Sequence, residues 1–247
     1  MKMQDKPYIL ITGATSDIGS SIAHSLAVDY PLIIHGRSIE QLEKLKQQLS
    51  ASNPVEYWES DLSKVEDIKS SLKDFLVSRQ LQVSGFVHCA GTLKILPFKN
   101  FREDYVQEIF NVNLFSAIAI LQVLLLKYNL SALNRILFIS ALYSKRGNKG
   151  NSIYSASKGA IDSLVKSLAL ELAPKINVNS ILPGAIPTRL TQSLFDDPEK
   201  IEVLTQKYPL GYGQCQDIAL MIRYLLGDGG RWITAQNIHV DGGASMF

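Results

Sequence analysis

The chain has 247 residues, 46% hydrophobic and 19% charged, with 25 Lys and Arg against 23 Asp and Glu for a net charge of +2. That is the make-up of a globular protein with a sizeable core, and so even a balance gives no purchase on nucleic acid or an anionic membrane face. Two cysteines, Cys89 and Cys215, make neither a disulfide framework nor a metal-ligand cluster, so reduced thiols in a cytoplasmic protein without a metal are expected.

Residues 1–7 lead directly into the first apolar run and are expected to leave no room for a signal peptide. With no linker, repeat or low-complexity run, residues 1–247 are expected to form one catalytic domain. Apolar runs predict strands at 8–12, 32–36, 55–60, 85–89, 135–140, 177–182 and 237–240. Apolar residues three and four apart predict helices at 17–28, 39–49, 64–77, 103–127, 152–172 and 214–226. The longest apolar stretch, 114–126, contains Ser116 and Gln122 and is short for a bilayer, so it reads as a helix buried in the core or in a subunit contact. Repeated β-α units imply an α/β fold: a doubly wound parallel sheet of about seven strands with helices on both faces. Ligands of such sheets lie beyond the carboxyl ends of the strands.

The first strand ends in Thr12-Gly13-Ala14-Thr15-Ser16-Asp17-Ile18-Gly19. Glycines let the backbone bend sharply and approach a ligand, and a helix start offers free N–H groups at the positive dipole end. The turn suits the phosphates of a dinucleotide; alone, it is also a common strand-to-helix connection. The second strand ends in His35-Gly36-Arg37-Ser38. Where a carboxylate would take the adenosine ribose hydroxyls stands Gly36, and the Arg37 guanidinium can grip a phosphate, which favours NADP(H) over NAD(H). The plainer reading of Arg37 is a solvated helix-start arginine. Ser38 adds a hydroxyl contact or caps the next helix. Asp61, followed by Leu62, meets an adenine amino group or serves as an N-cap. Small residues at Ala90-Gly91 let the backbone pass a flat ligand or mark a tight packing point. Asn111 and Asn113 are mediocre helix formers inside an apolar helix, and a buried one must find partners; Asn113 can hold a backbone irregularity or an ordered water.

In Tyr154-Ser155-Ala156-Ser157-Lys158 a phenol and an ammonium share one helix face. Of ten tyrosines, only Tyr154 has a lysine four positions on. A free phenol, with pKa about 10, is a poor base at neutral pH, but a cation about 4 Å away at an effective dielectric near 20 favours the phenolate by about 4 kcal/mol. Such a phenol can exchange a proton with a carbonyl or alcohol oxygen while hydride moves. The alternative is an exposed Tyr–Lys pair on a helix.

Taken together, the Gly-rich turn, Asp61, Ala90-Gly91, Asn113, Tyr154-x-x-x-Lys158, Pro183-Gly184-Ala185-Ile186-Pro187-Thr188 and Val240-Asp241-Gly242-Gly243 resemble the short-chain dehydrogenase/reductase family in order and spacing over nearly the whole chain. Pro209-Leu210-Gly211 and residues 233–243 resemble most its 3-oxoacyl-carrier-protein reductase branch. The resemblance implies a Rossmann-type single domain, a homodimer or homotetramer, and a small-molecule carbonyl/alcohol substrate. By the same match Tyr154 is the acid/base, Lys158 holds the ribose hydroxyls and lowers the tyrosine pKa, and Asn113 anchors a relay water. It implies cofactor contacts at Gly13, Thr15, Ser16, Asp17, Ile18, Gly19, Arg37, Ser38, Asp61, Leu62, Ala90, Gly91, Tyr154, Lys158, Pro183, Gly184, Ile186 and Thr188, the last two at the nicotinamide carboxamide. Residues 189–210, with Asp196-Asp197-Pro198 and Leu204, fall where the family has a substrate lid.

Three positions leave the pattern. Asp17 replaces the middle glycine of the turn, placing a carboxylate near the expected pyrophosphate or, turned away, at a helix cap. His88-Cys89 replace two asparagines. The substrate-orienting serine, thirteen positions before the tyrosine, is Ala141, and a loop glycine is Ser144. Losing one such donor typically costs about 10²–10³ in turnover. Ser140 or Ser144 substitutes, or the chemistry proceeds without that hydroxyl; Ser140 is the catalytic candidate retained. The expected function is NADP(H)-dependent hydride transfer on a carbonyl/secondary-alcohol pair, and the rival is a catalytically weakened NADP-binding regulator or scaffold.

Overall fold

Every central strand carries apolar side chains on both faces, and the sheet has helices on both sides to receive them. The computed structural model describes residues 6–49, 52–196, 201–202 and 206–246. Strands β1 (Tyr8–Thr12), β2 (Leu32–Gly36), β3 (Val55–Glu59), β4 (Val83–His88), β5 (Arg135–Ile139), β6 (Asn177–Pro183) and β7 (Asn237–Val240) form one seven-stranded sheet in the order β3-β2-β1-β4-β5-β6-β7. All neighbours are parallel, as in Ile11 opposite Ile34 on one side and Val87 on the other. The main helices are α1 (Asp17–Leu26), α2 (Ile39–Gln48), α3 (Val65–Ser78), α4 (Glu103–Leu124), α5 (Ser152–Leu172) and α6 (Cys215–Leu226).

Alternation along the strands divides the core into two layers. Leu10, Ile33, Phe86 and Phe138 point to one face, where α3, α4 and α5 contribute Leu72, Ile120 and Val165. Ile9, Ile11, Ile34 and Val87 point to the other, against Ile22 of α1, Leu42 of α2 and Ile222 of α6. Each fully buried Leu, Ile or Phe contributes roughly 1.5–3 kcal/mol, so the two layers carry the fold.

Helix α4 runs for 22 residues and is apolar enough, by length and composition, to cross a membrane; half of its most apolar window is nevertheless buried inside the protein, with Ala117, Ile120 and Leu124 in the core. It is interrupted by a π-turn at Asn111–Phe115, the backbone irregularity that Asn113 suggested. The wider turn is held from outside the helix: Asn111 Nδ2 donates to the Ser63 carbonyl at 2.8 Å. Such π-turns concentrate at functional sites.

β1 pairs with β2 on one side and β4 on the other, so the chain winds in opposite directions from that point. A crevice at the carboxyl ends follows from this topology.

Candidate active site

The crevice is a cleft of about 680 Å³ lined by residues from the Gly-rich turn, the ends of β2 to β6 and the Tyr154–Lys158 face. At its floor, Gly13 takes φ +63, and a Cβ there would stand 2.8 Å from the Ala90 Cα. Two demands, a left-handed backbone and close passage of the chain beyond β4, exclude a side chain. Gly19 is buried under the same turn, where a Cβ would meet the Gly13 carbonyl at 2.2 Å, so it shapes the turn without lining the cleft. Ser16 caps α1: its Oγ accepts from Gly19 N at 3.1 Å and donates to the Gly13 carbonyl at 2.7 Å. Thr15, Asp17 and Ile18 line the cleft beside it.

At the next strand end, His35 is a fastener that motif reading passed over. Its Nδ1 accepts from Gly13 N at 3.2 Å and its Nε2 donates to the Ser60 carbonyl at 3.1 Å, tying the ends of β1, β2 and β3 together. Burial pushes its pKa down to about 4, so the ring is neutral. Arg37 is exposed at the cleft, with no side-chain hydrogen bond or ion pair among the described residues. Ser38 does not line the cleft; its Oγ caps α2 by accepting from Gln41 N at 3.4 Å. Asp61 lines the cleft and also makes a local turn, its Oδ1 accepting from Ser63 N at 3.0 Å and Ser63 Oγ at 2.8 Å. Burial pushes its carboxyl up, but the two Ser63 bonds, with Arg37 and Lys64 nearby, hold it below the usual range. Leu62, Ala90 and Gly91 complete this wall.

Tyr154 and Lys158 stand one turn apart on α5, both facing the cleft. Lys158 is 3% exposed; its Nζ donates to the Ile139 carbonyl at 2.8 Å and lies 5.8 Å from the centre of the Tyr154 ring. Burial, against the pull of Cys89 and Asp162, lowers its pKa to about 8. Lys158 is not among the groups that set the direction of the Tyr154 pKa. Burial raises the Tyr154 phenol above its ordinary value, and Tyr143 and Cys89 push the same way. Desolvation of the phenol comes first; the Lys158 ammonium, 5.8 Å from the ring centre, is bonded to the Ile139 carbonyl. Gly91 passes directly over the pair's support, where a Cβ would sit 3.4 Å from Lys158 Nζ and 3.5 Å from Asn113 Oδ1.

Asn113 does not line the cleft. It is fully buried, its Oδ1 accepting from Thr92 N at 2.8 Å and its Nδ2 donating to the Thr92 carbonyl at 3.1 Å and Ser157 Oγ at 2.9 Å. Ser157 Oγ in turn donates to the Tyr154 carbonyl at 2.7 Å, so Asn113 clasps the chain beyond Gly91 to the turn of α5 that carries the phenol. Behind it, His88 Nδ1 accepts from Thr12 Oγ1 at 2.9 Å, and burial with the charge of Lys158 drives its pKa down to about 3.

The loop after β5 carries three hydroxyls around Ala141: Ser140, Tyr143 and Ser144. Ala141 and Ser140 both line the cleft, but Ser140 Oγ donates to the Lys158 carbonyl at 3.3 Å. Ser144 faces the other way, donating at 2.5 Å to Asp162, a buried carboxylate that also takes Ser180 Oγ at 3.0 Å and Lys145 Nζ at 3.1 Å. Tyr143, between them on a tight turn, lines the cleft with Tyr154, and its hydroxyl has no hydrogen-bond partner among the described residues. Motif spacing points to the two serines and not to this phenol, two positions after Ala141.

Pro183, Gly184, Ile186 and Thr188 close the cleft from β6. Thr191, another residue the motifs did not mark, braces them: its Oγ1 donates to the Ile186 carbonyl at 2.6 Å and accepts from Thr188 N at 3.0 Å. Of the expected lid, 197–200 and 203–205, with Asp197, Pro198 and Leu204, lie outside the described residues. Its described end is anchored at Tyr208, whose hydroxyl accepts from Ala185 N at 2.9 Å.

A family model described as Enoyl-(Acyl carrier protein) reductase matches residues 13–245. The chain is 32% identical over 241 residues to the 3-oxoacyl-(acyl-carrier-protein) reductase of Rickettsia felis, covering 96% of each. A short-chain type dehydrogenase/reductase from Mycobacterium ulcerans superposes with a TM-score of 0.89 at 26% identity, over 97% of this chain and 90% of that one. 4-Hydroxyisoleucine dehydrogenase, solved in complex with NADH, superposes with a TM-score of 0.89 at 28% identity, over 98% of this chain and 99% of that one. Both the family match and the relative extend over almost the whole chain, cleft included, and the chain therefore belongs to the short-chain dehydrogenase/reductase family of NAD(P)-dependent oxidoreductases.

Proposed function

We propose that the protein is an NADP(H)-dependent reductase that interconverts a small carbonyl compound and its secondary alcohol. The observation that carries this reading is the pairing, in one cleft, of the Tyr154–Lys158 face with an unpartnered Arg37 at the end of β2. The cleft fits a dinucleotide: its floor at Gly13 has no room for a Cβ, and its volume suits a bound cofactor. When bound, the nicotinamide supplies or takes the hydride. Tyr154 holds its proton at neutral pH and gives it to the carbonyl oxygen. Lys158, protonated below about pH 8, would hold the ribose hydroxyls and favour the phenolate that the transfer leaves. Asn113 keeps the frame around the water that restores the proton. Thr15, Ser16 and Ile18 take the diphosphate, Asp61 and Leu62 the adenine, and Pro183, Gly184, Ile186 and Thr188 the carboxamide. Residues 1–247 act as one catalytic domain in a cytoplasmic homodimer or homotetramer. Neither nucleic acid nor membrane is a partner in this reading.

Arg37 is the residue proposed to read the 2′-phosphate. Arg37→Ala is expected to weaken NADPH by about 10–100-fold, the worth of a charge-assisted hydrogen bond, and NADH by less than about threefold. Fluorescence titration with both nucleotides checks this; equal losses would remove the NADP preference and leave the oxidoreductase intact.

At the substrate pole, the free phenol of Tyr143 takes the place of the missing serine hydroxyl, since Ser140 and Ser144 are engaged elsewhere. Tyr143→Phe is expected to lower kcat by about 10²-fold, as for loss of one preorganised donor, while Ser140→Ala stays within about threefold. Steady-state rates on a panel of ketones and β-ketoesters decide between them, and the opposite ranking returns the role to Ser140.

A further inference from the structure

The first turn holds a carboxylate where an anion is to bind, and the structure shows what answers it. Asp17 is the first residue of α1, where free N–H groups and the helix dipole attract negative charge. Its Oδ2 accepts the backbone N–H of Arg189 at 2.7 Å and its Oδ1 accepts from the Arg189 guanidinium Nε at 3.0 Å. Nη2 of the same guanidinium donates to the Thr15 carbonyl at 2.7 Å. These partners stand on different walls of one cleft: Thr15 and Asp17 follow β1, whereas Arg189 follows Thr188 on the chain that leaves β6. The side chains are 63% exposed for Arg189 and 32% for Asp17, so the pair sits at the mouth and the fold does not hang on it.

Left alone, Asp17 would repel a diphosphate and set the turn against its own ligand. Paired, the two charges cancel, and the guanidinium keeps N–H donors uncommitted among the described residues. We propose that Arg189 is a positioning residue of the cofactor cleft: it neutralises Asp17, so that the turn can take the diphosphate common to NADH and NADPH. The inference rests only on the binding of a nicotinamide dinucleotide and is independent of which one is preferred.

Because Arg189 acts through Asp17, two substitutions together must be milder than one. Fluorescence titrations with NADH and NADPH, run in parallel on the whole protein, supply the dissociation constants without turnover. Arg189→Ala is expected to weaken both nucleotides by about tenfold, because it leaves a bare carboxylate beside the diphosphate. Asp17→Gly removes the carboxylate that Arg189 answers, so the double variant is expected to bind both nucleotides as Asp17→Gly does and several-fold more tightly than Arg189→Ala. Unchanged affinity in Arg189→Ala overturns the proposal. So does a double variant no tighter than Arg189→Ala, or a loss confined to NADPH, since Arg189 would then act without Asp17 or on the 2′-phosphate. An Arg37→Ala variant that fails to discriminate the nucleotides would sink the NADP preference and leave this result standing; a wild-type protein that binds neither nucleotide would sink both.

Discussion

Tyr154→Phe is expected to lower kcat for carbonyl reduction by about 10³-fold, within the range a positioned general acid supplies, while NADPH affinity stays within about threefold. In the proposed reaction the phenol delivers the proton, and its surroundings tell which way it is biased. Burial, the Tyr143 phenol and the Cys89 thiol all raise its pKa, so among the protein's own groups it is an acid held in reserve and not a resting base. Lys158 Nζ, 5.8 Å from the ring centre and bonded to the Ile139 carbonyl, does not cancel that bias. In the proposed reaction the protonated phenol is therefore the form ready for carbonyl reduction near neutral pH, and the rate of alcohol oxidation, which needs the phenolate, is expected to rise with pH. Rapid-mixing measurement of the chemical step, beside nucleotide titration, separates the loss of proton transfer from any loss of binding. If Tyr154→Phe turns over at near wild-type rate while binding NADPH normally, the acid lies elsewhere. If the wild-type protein reduces no carbonyl at all and Tyr154→Phe leaves its cellular role intact, the regulator reading takes over.

Much of this architecture is legible in the residues because local pattern and burial agree. The strands are runs such as Leu32–Gly36, buried along their whole length, and α5 spans Ser152–Leu172 as its apolar spacing predicts. Elsewhere the deciding contacts are remote in the chain. The π-turn of α4 depends on Asn111 reaching Ser63, and Asn113 acts by clasping Thr92 and Ser157. Nothing in the turn itself announces that Asp17 meets Arg189, 172 residues later. The direction of Ser144 depends on Asp162 being buried beside Ser180 of β6, which no spacing reveals. Motifs thus mark which residues gather at the cleft, whereas which of their polar atoms remain free is settled by tertiary hydrogen bonds.

Acidification should unfold this protein through the two histidines that fasten its cleft. His35 and His88 are held neutral, at pKa values of about 4 and about 3 against an ordinary 6.5, chiefly because burial penalises the imidazolium. Between pH 6.5 and those values the unfolded chain binds these protons and the folded one does not. Stability therefore rises with pH across that window and is lost as pH falls through it. The loss amounts to about 3 kcal/mol for His35 by pH 4 and about 4 kcal/mol for His88 by pH 3. Together these approach the entire stability of a typical domain, roughly 5–15 kcal/mol. Asp61 and Asp241, held below the usual carboxylate range, add to the loss only at lower pH. His88→Asn, which keeps a polar group beside Thr12 but cannot take up a proton, should move the midpoint of acid unfolding down by about one pH unit in circular dichroism. In the wild-type protein, NMR should show both rings neutral until the fold is lost. A folded protein whose His88 titrates near pH 6.5, or a His88→Asn variant with an unmoved acid midpoint, would place the acid weakness elsewhere.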